Sequence, residues 1–148
     1  MRRAPTVELR RERLELADGD FLDLDWTTRD THAQTIVLIL HGLEGSSRSK
    51  YASGMLAAFS KRGWMSVLMH FRGCSGEPNR AQRTYHSGET GDLQHVVDVL
   101  RSRYPDRNIL CLGFSLGGNV LLKWLGEQGA NAPVKAALTV SVPFDLAC

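Results

Sequence analysis

No apolar run in this 148-residue chain is longer than the five residues from Ile36 to Leu40. A helix crossing a membrane needs roughly 20, so no transmembrane segment is expected. Arg2 and Arg3 open the chain without an apolar stretch behind them, and no secretory signal is expected. Cysteine is scarce: only Cys74, Cys111 and Cys148 occur. Their odd number and wide spacing argue against a disulfide framework or a metal site and fit free thiols in a reducing compartment. A cytoplasmic protein is the expectation. Charge of one sign is missing as well. Eighteen Lys and Arg against sixteen Asp and Glu leave a net charge of +2, too little to indicate nucleic acid as a partner. Arg2, Arg3, Arg10, Arg11 and Arg13 read as the solvated face of an early strand.

What is present is ordinary globular composition, 43% hydrophobic and 23% charged, in a length suited to one domain over 1–148. Leu14 to Trp26 alternates apolar and polar residues around Asp18-Gly19, a hairpin signal. Thr35 to Leu40 is a continuous apolar run of the kind covered on both faces. Lys50 to Arg62 has helical spacing with Gly63 to end it. Trp64 to Phe71 predicts a strand, and Arg72 to Arg83 a loop. Ser87 to Tyr104 predicts a helix with a stripe of Leu93, Val96, Val97 and Leu100, stopped by Pro105. Strand, helix and strand follow over Ile109–Leu112, Leu116–Glu127 and Val134–Val142. This order predicts an α/β fold: a mostly parallel sheet led by an antiparallel hairpin.

Gly113-Phe-Ser-Leu-Gly117 carries the chemistry. A Gly-x-Ser-x-Gly between a strand and a helix is a nucleophile elbow, in which a strained turn lifts the serine hydroxyl above the sheet. Ser115 is therefore the candidate nucleophile. His41-Gly42-Leu43 ends an earlier strand, where such sites take one oxyanion donor, while the residue after the nucleophile supplies the other. The candidate donors are the backbone N–H groups of Leu43 and Leu116. His41 is expected to brace this loop. A serine hydroxyl needs a histidine base oriented by an acid, yet His32, His41, His70, His86 and His95 all precede Ser115. His86 reads as a hydrogen-bonded loop residue and Asp145 as a turn or cap residue. Arg72 to Arg80 lacks the Gly-Lys-Ser/Thr ending of a phosphate loop, and no Gly-x-Gly-x-x-Gly follows a strand. Arg72, Arg80 and Arg83 are expected to form surface ion pairs. No metal or cofactor is expected.

Taken together, His41-Gly-Leu-Glu-Gly-Ser-Ser47, Phe71-Arg-Gly-Cys-Ser-Gly-Glu-Pro-Asn-Arg80, Tyr85-His-Ser-Gly-Glu-Thr90 and Gly113-Phe-Ser-Leu-Gly-Gly-Asn119 resemble the YheT-like esterase branch of the α/β-hydrolase superfamily. This branch is related to animal acylglycerol and phospholipid hydrolases. The resemblance implies the N-terminal half of an α/β-hydrolase core and a serine carboxylic-ester hydrolase. Its substrates would be short-chain or monoacylglycerol-like esters, with Ser115 as nucleophile and no cofactor. It also implies that the acid and histidine lie beyond Cys148, so the chain reads as truncated. The competing expectation is an inactive remnant or acyl-binding module, prone to self-association through an open sheet edge.

Overall fold

The computed structural model describes residues 6–27 and 32–145. Six strands, β1 (Leu9–Glu15), β2 (Phe21–Thr27), β3 (Thr35–Leu40), β4 (Met65–Met69), β5 (Asn108–Phe114) and β6 (Ala136–Val140), form one sheet in the order β1-β2-β4-β3-β5-β6. The pairs β1–β2 and β2–β4 are antiparallel, and β4–β3, β3–β5 and β5–β6 are parallel. Three helices, α1 (Lys50–Lys61), α2 (Gly91–Arg103) and α3 (Leu116–Gln128), cover the sheet. The α/β class and the antiparallel hairpin read from the sequence are both present.

Period two in β3 divides the core. Ile36, Leu38 and Leu40 join Val96, Val97, Val120 and Trp124 beneath α2 and α3. Val37 and Ile39 join Ala52 and Leu56 beneath α1. Successive side chains point to opposite faces, so a strand covered on both sides must be apolar throughout, as Ile36 to Leu40 is. Each such side chain contributes about 1.5–3 kcal/mol on burial. Gly63 ends α1 at φ 71°, a conformation glycine adopts without strain, with the Trp64 N–H closing onto Phe59 O at 3.1 Å.

Several expectations need correction. The second helix begins at Gly91 rather than Ser87. The intervening residues form a turn in which Glu89 N–H donates to His86 O at 3.0 Å, while Glu89 Oε1 accepts the Gly91 N–H at 2.9 Å. The last strand runs from Ala136 to Val140, not from Val134 to Val142, because Ser141 turns away at φ 55°. Its outer edge has no partner among the described residues, and Leu138 is 64% exposed.

Arg10, Arg11 and Arg13 of β1 are exposed, as the sequence suggested, but two of them also pair across the hairpin. Arg11 and Arg13 sit opposite Asp25 and Asp23 in register, and each grips its carboxylate with two nitrogens at 2.8–3.0 Å. Both aspartates are buried. Arg2 and Arg3 lie outside the described residues. Arg72 is likewise buried, not a surface partner: its fork holds Asp92 through two 2.8 Å bonds, and it also reaches Asp18 and Asp20. Arg80 and Arg83 do pair at the surface, with Glu15 and Glu89. Cys74 and Cys111 are free thiols, and Cys148 is outside the described residues. No helix among the described residues is long and apolar enough to cross a membrane.

Candidate active site

Ser115 joins the C-terminal end of β5 to the first turn of α3, with φ 50° and ψ −118°. Both motif glycines are required by their contacts. A Cβ on Gly113 would stand 2.7 Å from Gly117 O, and one on Gly117 would stand 2.6 Å from Leu40 O and closer still to His41 O. The α3 N-terminus therefore passes directly over the end of β3, which brings Ser115 beside the His41-Gly42-Leu43 loop. A Cβ on Gly42 would meet Ser115 Cβ at 3.3 Å.

The non-glycine residues with positive φ among those described are Glu44, Ser115 and Ser141, and all three line one cavity of about 540 Å³. Each such conformation costs on the order of 1–3 kcal/mol and persists only where surrounding contacts enforce it. Their convergence marks a place where the fold holds backbone strain. Ser115 N–H donates to Val140 O at 2.9 Å, fastening the elbow to the end of β6. Asn119 Nδ2 donates to Pro143 O at 2.8 Å and pins the same loop.

Hydrogen bonding orients the Leu43 amide. Phe71 N–H donates to His41 Nε2 at 3.0 Å, so that nitrogen is unprotonated; the ring proton is on Nδ1 and is donated to Gly42 O at 2.6 Å. Gly45 N–H donates to the same carbonyl at 3.0 Å. The Gly42–Leu43 peptide is trans, so fixing its C=O fixes the Leu43 N–H in the opposite direction. On either side, Gly42 N–H donates to the Tyr51 hydroxyl at 2.8 Å, and Glu44 N–H to the Tyr85 hydroxyl at 2.9 Å. Among the described residues nothing engages the Leu43 N–H. Leu116 opens α3, where N–H groups have no intrahelical partner and the helix dipole favours negative charge.

The structure thus places Ser115 and Leu43 in the lining of one cavity, with His41 bracing the loop; Leu116 follows Ser115 in the chain but is not in that lining. It does not bring His86 or Asp145 into that cavity's lining. His86 Nδ1 accepts the Gly88 N–H at 3.1 Å. His70 Nε2 lies 2.7 Å from Asp25 Oδ2, an oxygen that also accepts from Ser47 Oγ at 2.6 Å. Burial raises the Asp25 carboxyl's pKa, but the bonds from His70, Arg11 and Ser47 outweigh it and hold the carboxyl below its usual range. No group of three His, Cys, Asp or Glu residues among those described is placed to hold a metal ion. The loop contacts of the two tyrosines are additions to the sequence reading, in which Tyr85 stood only within a family motif.

Burial pushes the His41 ring down to about 4, against the Gly42 carbonyl, which favours the protonated form. Its ordinary value is 6.5. Between these values the unfolded chain binds a proton that the folded chain refuses, so this contribution is complete above 6.5 and is lost as pH falls toward 4. The limiting slope is about 1.4 kcal/mol per pH unit. Asp25 acts in the same direction but in a lower window, below its ordinary 3.8. Urea titrations of the wild type are expected to lose stability from pH 6.5 to 4, and His41→Asn to show a shallower loss. Equal slopes would refute the assignment.

Comparison with known proteins agrees with this fold. The alpha/beta hydrolase fold family matches residues 35–147. The chain is 50% identical over 137 residues to “Putative esterase YheT” of Escherichia coli (strain K12), covering 91% of this chain and 40% of that one. It is 36% identical over 148 residues to phospholipase ABHD3 of Bos taurus, covering 95% and 36% respectively. The esterase Pf2001 of Pyrococcus furiosus superposes with a TM-score of 0.75 at 22% identity, covering 93% of this chain and 52% of that one. The chain spans 40% or less of the length of these two curated relatives.

Proposed function

The chain belongs to the alpha/beta hydrolase fold family, and from that premise we propose that it carries the nucleophile and oxyanion site of a serine carboxylic-ester hydrolase. The observation that carries the reading is the cavity on which the three strained residues Glu44, Ser115 and Ser141 converge, beside an amide held with its donor free. Ser115 Oγ attacks the acyl carbonyl carbon, and the carbonyl oxygen takes up the electron pair. The Leu43 and Leu116 N–H groups receive that oxygen. Fixed backbone dipoles suit the task because they need no reorganisation as the charge develops. The C–O bond to the alcohol then breaks, leaving an acyl-serine that water hydrolyses to free acid and Ser115. The substrates proposed are short-chain or monoacylglycerol-like esters; this extends to the chain what the names of its relatives suggest.

Acylation needs a base to take the Ser115 proton and pass it to the departing alcohol, and deacylation needs it to take a proton from water and return one to Ser115 Oγ. His41 has both nitrogens engaged and His70 faces Asp25, so the base and its acid are assigned to polypeptide beyond the described residues. The commitment of these two histidines elsewhere also favours a second reading, an acyl-binding module without turnover.

An alkyl fluorophosphonate separates the two. The esterase reading expects phosphonylation located by mass spectrometry on Ser115 and absent from Ser115→Ala. An unmodified Ser115, in protein that still binds a fatty acid, would leave the acyl-binding reading in its place.

A further inference from the structure

A tyrosine hydroxyl has one proton to donate and lone pairs with which to accept, and the two tyrosines of this loop differ in their partners. Tyr85 accepts the Glu44 N–H and has the Cys74 thiol as a further neighbour with which it interacts. Tyr51 accepts the Gly42 N–H at 2.8 Å, and among the described residues nothing receives its proton. Its ring lies 4.6 Å from that of Phe114, the residue before Ser115, which fixes its direction. A Cβ on Gly45 would stand 2.7 Å from the hydroxyl, so glycine at this position is what lets the oxygen reach the loop. The hydroxyl and Ser115 Cβ both lie within 3.6 Å of the point a Gly42 Cβ would occupy. Tyr51 lines the cavity together with Leu43 and Ser115.

We propose that Tyr51 donates its O–H into this cavity as a third, side-chain donor to the oxygen that becomes negative when Ser115 attacks. The inference rests on the acyl-transfer reading above. The Gly42 N–H, by donating to the same hydroxyl, polarises its O–H bond and makes it a stronger donor. Loss of one such donor typically lowers rate by about 10²–10³, so the hydroxyl matters most for the charged tetrahedral species and least for the neutral ester.

The test uses butaneboronic acid, whose tetrahedral, negatively charged adduct with a serine oxygen places a boron-bound oxygen where the oxyanion would be. Affinity is measured near pH 6 for four proteins: wild type, Ser115→Ala, Tyr51→Phe, and protein carrying 3-fluorotyrosine at position 51. Fluorination makes the phenol a better donor and a poorer acceptor. Direct donation therefore expects Tyr51→Phe to bind about tenfold or more weakly and the fluorinated protein to bind more tightly. If the hydroxyl served only to steady Gly42, both substitutions would weaken binding, and the proposal would be overturned. Unchanged affinity in both would overturn it equally. Wild type binding no better than Ser115→Ala would reject the Ser115 reading itself, and the inference with it. The fluorinated arm retains the hydroxyl and decides the matter even if Tyr51→Phe folds poorly.

Discussion

Alanine at Gly117 is expected to cost more than about 3 kcal/mol, beyond the usual 1–3 kcal/mol for an overpacked site. The new Cβ would stand 2.6 Å from Leu40 O and closer to His41 O, both backbone atoms at the end of β3. Neither can move without breaking the parallel pairing of β3 with β5, in which Leu40 faces Gly113. Helix propensity works the other way, since alanine improves on glycine in a helix by about 1 kcal/mol. That gain is smaller than the clash. Gly126 supplies the control: it lies in the same helix and a Cβ there meets nothing within 4 Å. Gly126→Ala should therefore stabilise by about 0.5–1 kcal/mol. Urea midpoints of the two variants should move in opposite directions. A Gly117→Ala midpoint within about 1 kcal/mol of wild type would show that α3 is not seated against β3 as described. Because the same contact places Ser115 beside Gly42, a tolerated Gly117→Ala would also be expected to displace the elbow and reduce fluorophosphonate labelling.

Arg72→Ala is the second large effect, about 3–5 kcal/mol, the range for removing one partner of a buried ion pair. The guanidinium is almost wholly buried and bonds Asp92 through two nitrogens at 2.8 Å, with Asp18 at 2.8 Å and Asp20 at 3.1 Å on the third. Asp92 lies in the first turn of α2, so the pair ties that helix to the loop after β4. Asp20 keeps the Phe21 and Arg80 N–H groups and Asn79 on its other oxygen, whereas Asp92 would lose both bonds of its fork. Lysine keeps the charge but cannot form a two-pronged contact, and Arg72→Lys should fall between wild type and alanine. Combining Arg72→Met with Asp92→Leu removes both charges and should recover at least about 1 kcal/mol relative to the sum of the single changes. Strict additivity would mean that the two residues do not interact, contrary to the geometry.

Arg72 also shows where reading the chain alone falls short. In sequence it stands in a loop of glycine, proline and serine, surroundings typical of a solvated arginine. Its partners are 20, 52 and 54 positions away, and nothing local signals them. The hairpin is a milder case: its arginines are exposed as read, but alternation did not show that the polar face of β2, with Asp23 and Asp25, is buried. Tyr51 and Tyr85 meet the Leu43 loop from 9 and 41 residues away on the chain. Only folding brings two hydroxyls to either side of one amide.

What the sequence determined by itself was periodic or tightly local: apolar continuity in β3, the glycine ending α1, the stripe of α2, and the elbow in which two glycines flank a serine. These features depend on backbone geometry over a few residues, so the order of residues suffices to specify them. Tertiary structure alone decided which charges are buried, how the Leu43 N–H is aimed, and that Glu44, Ser115 and Ser141 hold their strain around one cavity. Each of these requires groups far apart in the chain to meet at hydrogen-bonding distance, and that proximity arises when the sheet order β1-β2-β4-β3-β5-β6 sets β3 between β4 and β5.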